Sequence, residues 1–268
     1  MAYTWITKGL AASVLAVSLG GLPAAASADG TEPEIYTGPV TAIGNGQAHA
    51  FVVLDDDREP TAIGVNLSAD ALEGLPAHTT GHGPAWEYRL ELPAEAAGTG
   101  YDHITVDWNP EGHIPPGVYD LPHFDFHFYL IDQQARDRIT LEGDDLQRAS
   151  RAPDPAFMPA GYVLPEGTAE PRMGAHAIDP GAPEFNDGVF TRTFIYGFHD
   201  GSMVFIEPMV TRDFLESRAD VTMPVPVAER YQRPAYYPTQ YRVGFDAASD
   251  AHVVVLEGLV RHGQIAGR

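Results

Sequence analysis

Apolar residues recur at every second position through several stretches of the chain. WEYRLELP, from Trp86 to Pro93, alternates in this way, and so does YDHITVDWNP from Tyr101. A period of two sends successive side chains to opposite faces of an extended backbone, so both are predicted as half-buried strands. The alternation is sharpest in PHFDFHFYLI, residues 122–131. There Phe124, Phe126, Phe128 and Leu130 share one face, and His123, Asp125, His127 and Tyr129 share the other. The density of aromatics and Pro122 at the start favour a long strand over a helix.

Turn residues cut the rest of the pattern into short pieces. Gly44-Asn45-Gly46 and the acidic run Asp55 to Pro60 separate two apolar runs between residues 37 and 68. ADALEGLP reads as one helical turn and IDQQARDRI as a short helix. Asp200-Gly201 is a strong hairpin signal between GVFTRTFIYGF and SMVFIEPMV. A regular two-residue turn there pairs Phe198 with Met203, Tyr196 with Phe205, and Phe194 with Glu207. Glu207 then becomes the only acid on an apolar face with Phe194, Tyr196, Phe198, Met203, Phe205 and Met209. AHVVVLEGLV reads as a last strand. Residues 142–173 are rich in proline, glycine and charge, and read as a surface loop or a linker. Many short strands joined by Gly/Pro turns predict a mostly β fold, a sandwich or a jelly-roll barrel with a few short helices.

The first residues do not fit that pattern. Lys8 is followed by an apolar run from Gly9 to Leu22 and then by Ala26-Ser27-Ala28. This is the layout of a signal peptide over residues 1–28, leaving a β-rich domain over 29–268 that is secreted or periplasmic. The apolar run is shorter than the roughly 20 residues a membrane span needs, so no span is expected in the mature chain.

Composition narrows the chemistry. There is no cysteine, which excludes thiol nucleophiles and thiolate ligands. Lys8 is the only lysine, so the mature piece carries 15 arginines against 37 acids, net −22, and no Schiff-base lysine. Such acidity argues against nucleic acid as a partner. A small-molecule ligand and a homo-oligomer stay open. Asp55-Asp56-Asp57 and Asp144-Asp145 read as solvated turn acids rather than calcium ligands. The sequence holds no GxSxG, GxxxxGK[ST], HExxH or GxGxxG, and the five serines after residue 28 sit in no familiar nucleophile setting.

What remains is a set of nitrogen and oxygen donors. His123, Asp125 and His127 line one strand face, Glu207 stands among apolar residues, and His176 lies between small residues in PRMGAHAIDP. A carboxylate in apolar surroundings is costly unless paired, protonated or bound to a cation. These five suit one divalent transition ion: zinc, iron, manganese or copper. Positions 123 and 127 are roughly 13 Å apart on a regular strand, so either two neighbours bind or the strand is distorted. Asp125 could also orient an imidazole. His113 and His199 are expected to be exposed at turns, and His103 to lie near the site.

PPGVYDLPHFDFHFYLI, VLPEGTAEPRMGAHAIDP, FTRTFIYGFHDGSMVFIEPMVT and the earlier PTAIGVNLSADALEGLP together resemble a family of exported bacterial proteins, one of them in a sigma-E-controlled envelope-stress regulon. The resemblance implies a predominantly β extracytoplasmic protein and brings no reaction with it. The histidine strand is also similar to the HxH of cupins, but its middle is extended to HFDFH and the glycine spacing differs. The expectation is therefore an exported metal-binding protein, a metal-dependent hydrolase or oxygenase if catalytic. Glu207 or Asp125 would act as ligand or base, with Tyr129 and Tyr196 positioning substrate. The alternative is a non-enzymatic envelope-stress, ligand-binding or assembly module.

Overall fold

The structure is a computed structural model and describes residues 33–79 and 86–263. The leader expected at 1–28 lies outside the described residues. Strands β1 (Glu34–Thr37), β2 (Thr41–Ile43), β3 (Gly46–Leu54) and β4 (Pro60–Ser68) open a first antiparallel sheet, turning at the acidic and glycine-rich breaks. Strands β5 (Trp86–Glu91), β6 (His103–Asn109) and β7 (His123–Tyr129) begin a second sheet. It is completed by β8 (Ala169–Glu170), β9 (Gly174–Ala177), β10 (Arg192–His199) and β11 (Ser202–Thr211), in the order β5-β6-β7-β11-β10-β9-β8. Strands β12 (Val221–Pro224), β14 (Gln240–Asp246) and β15 (Ala251–Glu257) return to the first sheet, ordered β1-β3-β4-β15-β14-β12 with β2 beside β3. Strands β13 (Ala235–Tyr237) and β16 (Val260–His262) form a separate pair. The helices are short: α1 (Gln133–Asp137), α2 (Asp144–Ala149) and α3 (Arg212–Glu216). Among the described residues no helix is long and apolar enough to cross a membrane.

The fold is thus mostly β, two curled antiparallel sheets in a sandwich-like arrangement. Phe124, Phe126 and Phe128 of β7 are fully buried in one core with Ile63 and Val65 of β4 and Val254 and Leu256 of β15. Each buried phenylalanine contributes about 2 kcal/mol of apolar transfer, which pins the register of β7. The same alternation turns His123, Asp125 and His127 away from that core. They are nevertheless buried: residues 110–122 and 178–190 bring Tyr119 and Phe190 against His123, and Phe205 of β11 packs edge-on to His127. Beside these, Ile131 and Ile139 on either side of α1 pack with Met173, which precedes β9.

The β10–β11 hairpin departs from the regular ladder. Phe198 pairs with Met203 as expected, but Gly197 then pairs with Phe205, leaving Val204 as an extra residue. One additional residue inverts the face of everything beyond it. Ile195 now stands opposite Glu207, and Tyr196 opposite Ile206. Phe194, Tyr196, Phe198 and Met203 belong to the inter-sheet core, whereas Phe205, Glu207 and Met209 lie on the other face. The expected face was therefore wrong by one residue, and with it the place of Tyr196. Its hydroxyl donates to the Pro226 carbonyl, among core residues and away from Glu207.

Residues 142–173 carry α2, bury Tyr162 in the core and bring Thr168 to β9. Asp145 is only 4% exposed, not a solvated turn acid. It accepts the backbone N–H groups of Thr140 (2.7 Å) and Leu141 (3.0 Å), and pairs with His199 Nε2 at 2.9 Å. His199 is accordingly half-buried rather than exposed. Burial raises the carboxyl's pKa, but His199 and the two N–H groups outweigh it and hold Asp145 down at about 2. A depressed carboxyl stabilises the fold above its ordinary value of 3.8, and that contribution fades as pH falls towards 2. Asp145→Ala should cost about 2 kcal/mol by urea unfolding at pH 7, with the difference from the parent shrinking below pH 4. Equal stability at pH 7 would show that these three bonds and the Arg148 pair at 3.1 Å contribute nothing net.

Candidate metal centre

The donors stand in rows across the outward face of the second sheet. On β6 and β7, Thr105 is opposite His127, Asp107 opposite Asp125, and Asn109 opposite His123. On β11, Phe205 is opposite Tyr129 and Met209 opposite Asp125, which places Glu207 beside His127. On β9, His176 is opposite Gly197. Gly174, at φ +86°, starts that strand where a Cβ would collide with the Phe198 carbonyl, so only glycine lets β9 approach this closely.

Two groups result. His127, His176 and Glu207 offer ligand atoms all within 4.8 Å of one another, and so do His113, His123 and Asp125. The five residues expected around one ion thus divide between two clusters, separating His123 and Asp125 from the other three. His113 was expected at an exposed turn. Instead residues 110–120 fold back, with His113 N–H donating to the Tyr119 carbonyl, and its ring reaches Asp125. No signal in the sequence marked it. Asp107 was legible, because the period of two in β6 puts it on one face with His103 and Thr105.

The tautomers follow from the neighbours. His176 Nδ1 donates to the Thr168 carbonyl at 2.7 Å, His123 Nδ1 to the Leu121 carbonyl at 2.6 Å and His113 Nδ1 to the Ile114 carbonyl at 2.7 Å. His127 Nδ1 faces Asp107 Oδ2 at 3.2 Å. Every one of these rings therefore turns Nε2 towards a carboxylate. His127 and His176 reach Glu207 at 3.4 and 3.9 Å; His113 and His123 reach Asp125 at 3.4 and 3.2 Å. Asn109 Nδ2 donates to Asp125 Oδ2 at 2.7 Å and fixes that carboxylate.

Asp107, Asp125 and Glu207 are all 5% exposed or less, and among the described residues none makes an ion pair with an arginine. The nearby Arg136 is bound instead to Glu87, at 3.1 and 2.6 Å. Burial and the carboxylates of Asp125 and Asp107 push Glu207 well above the usual carboxyl range, against the pull of His127. Burial works against protonation of His127, but Glu207 and Asp107 prevail and raise it to about 9. His176 goes the other way, to about 4, chiefly through burial. A neutral His176 with its Nδ1–H donated presents an open lone pair at Nε2, as a metal ligand requires.

Tyr129 is fully buried beneath this site. Its ring stacks between His103 (4.8 Å) and His127 (5.7 Å), and Arg136 lies over it at 4.4 Å. His103 does sit near the site, but its Nδ1 pairs with Asp102 and it joins neither group. The half-buried members are His113 and His176, so any approach from solvent passes them.

Residues 55–108 match a family described as TTHB210-like, hypothetical protein TTHB210. That segment runs from the β3–β4 turn to the penultimate residue of β6, and contains Asp107 but neither donor cluster. No curated protein and no solved structure gives a significant match.

Proposed function

We propose that this chain is an exported metal-binding protein in which His127, His176 and Glu207 hold one divalent transition ion. One observation carries the reading: imidazoles with Nδ1 already engaged aim Nε2 at a buried carboxylate that, among the described residues, no arginine neutralises. The spacing supports it. A charge-assisted N–H···O bond spans about 2.7–2.9 Å, whereas two donors each about 2.1 Å from one ion at a tetrahedral angle lie roughly 3.4 Å apart. The observed 3.4 Å between His127 and Glu207 fits the second value. Thr105 Oγ1 meets His127 Nδ1 at 3.4 Å, and Asp107, 3.2 Å from the same nitrogen with both its oxygens free of hydrogen bonds, acts as the positioning residue through its charge.

Two imidazoles and a carboxylate leave coordination positions open, which suits zinc for activating water or iron for activating dioxygen. The reaction class this favours is a metal-dependent hydrolase or oxygenase. Export rests on the leader over residues 1–28.

The test is elemental analysis of the full chain produced without a metal-affinity tag. Bound transition metal is expected, and His176→Ala should remove an equivalent of it. Metal-free protein whose melting ignores chelation would overturn this function and favour the non-enzymatic module. Intact mass of the exported protein should correspond to a chain starting at Asp29; an uncleaved leader would contradict export.

A further inference from the structure

We infer a second metal position, formed by His113, His123 and Asp125, that shares no ligand with the site proposed above. The two lie side by side on one sheet face, since Asp125 and His127 are successive outward residues of β7, roughly 7 Å apart along the strand. Each half repeats the same construction: two imidazoles from different segments converge on one carboxylate, and each imidazole has its remaining nitrogen tied.

The contacts in this half are not those of an ordinary ion pair. His123 Nε2 and Asp125 Oδ1 stand 3.2 Å apart, yet both atoms are buried without a hydrogen-bond partner. Leaving two such atoms unsatisfied costs about 1–3 kcal/mol each, and a rotation of either side chain would otherwise have joined them. Their positions are fixed from behind, by the Leu121 carbonyl on the ring and by Asn109 on the carboxylate. His113 approaches the other carboxylate oxygen at 3.4 Å. Both separations approach the bite of neighbouring ligands on one ion. Tyr119 and Phe190 wall the position, the Phe190 ring 5.2 Å from that of His123, and limit its exchange with solvent to the side of His113.

The occupant is a divalent transition ion bound by two nitrogens and a carboxylate, the same chemical class as in the neighbouring site. A plain His–Asp pair could be built from these residue types, but it would close to hydrogen-bond distance and angle. It would also need no second imidazole on the opposite oxygen.

Zinc titration of the chelator-treated full chain, followed by elemental analysis after desalting, separates the cases. The parent should retain two equivalents, His113→Ala one, His176→Ala one, and the double variant none. His113 is on a half-buried loop, so its replacement should leave near-ultraviolet circular dichroism unchanged; the isosteric Asp125→Asn gives an independent reading if it does not. One equivalent in the parent, kept by His113→Ala and lost in His176→Ala, overturns the second position and leaves the proposed function standing. One equivalent lost only with His113 overturns that function instead. Joint loss of both equivalents in His113→Ala refutes independent positions, and no zinc in the parent refutes both readings.

Discussion

Stripping bound metal with a chelator should lower the melting temperature by about 10 °C, and added zinc should restore it. A ligand present at about a thousand times its dissociation constant stabilises a fold by about 4 kcal/mol. For a chain of this size each kcal/mol moves the midpoint by roughly 2–4 °C. The effect is expected towards the lower end of the resulting span of roughly 8–16 °C, because removing the cation still leaves imidazoles to neutralise the buried Asp125 and Glu207. Burial opposes protonation of His127 and His113, but the facing carboxylates prevail and raise both to about 9, so both stay charged near neutral pH. Differential scanning calorimetry before and after chelation, with zinc re-addition as control, makes the measurement. His176→Ala should respond less than the parent. A shift below about 2 °C in the parent would mean that these donors do not couple a cation to folding.

The elements that position the site were readable where a strong period or strong turn chemistry set them. The phenylalanines of β7 demanded one buried face, so the opposite placement of His123, Asp125 and His127 followed from alternation alone. Asp200-Gly201 fixed the start of the hairpin for the same kind of local reason. Beyond it, alternation misled: the extra Val204 leaves no mark in composition, yet it decides whether Tyr196 shares the face on which Phe205 meets His127. Strand β14 and the four residues of β9 were not anticipated, since YRVGFD and GAHA are short and their pairing is supplied by distant partners. The division of the donors into two groups was equally hidden. It depends on residues 110–122 returning over β7 to deliver His113, a long-range contact that no periodicity encodes.

Gly197→Ala tests whether that bulged hairpin is what holds the imidazoles in place. Glycine inside a strand is ordinarily a weakness, and alanine there gains about 0.5–1 kcal/mol from chain entropy alone. Here a Cβ would be driven into the Phe205 ring, against three of its carbon atoms. That ring is fully buried and has nowhere to retreat. It stands edge-on to His127 at 4.8 Å and to Tyr129 at 5.4 Å, and lies against His176 at 5.3 Å. Overpacking of this kind costs about 1–3 kcal/mol and more where the surroundings are rigid, so it outweighs the entropic gain. The variant should lose about 3 kcal/mol in urea unfolding, and about tenfold in zinc affinity as both rings are displaced. Shortening the obstructing side chain in the double variant Gly197→Ala/Phe205→Leu should recover part of the stability lost, giving a coupling energy of at least 1 kcal/mol in the cycle. Strictly additive losses, or an alanine variant as stable as the parent, would mean that the close approach of β10 to Phe205 does not constrain the site.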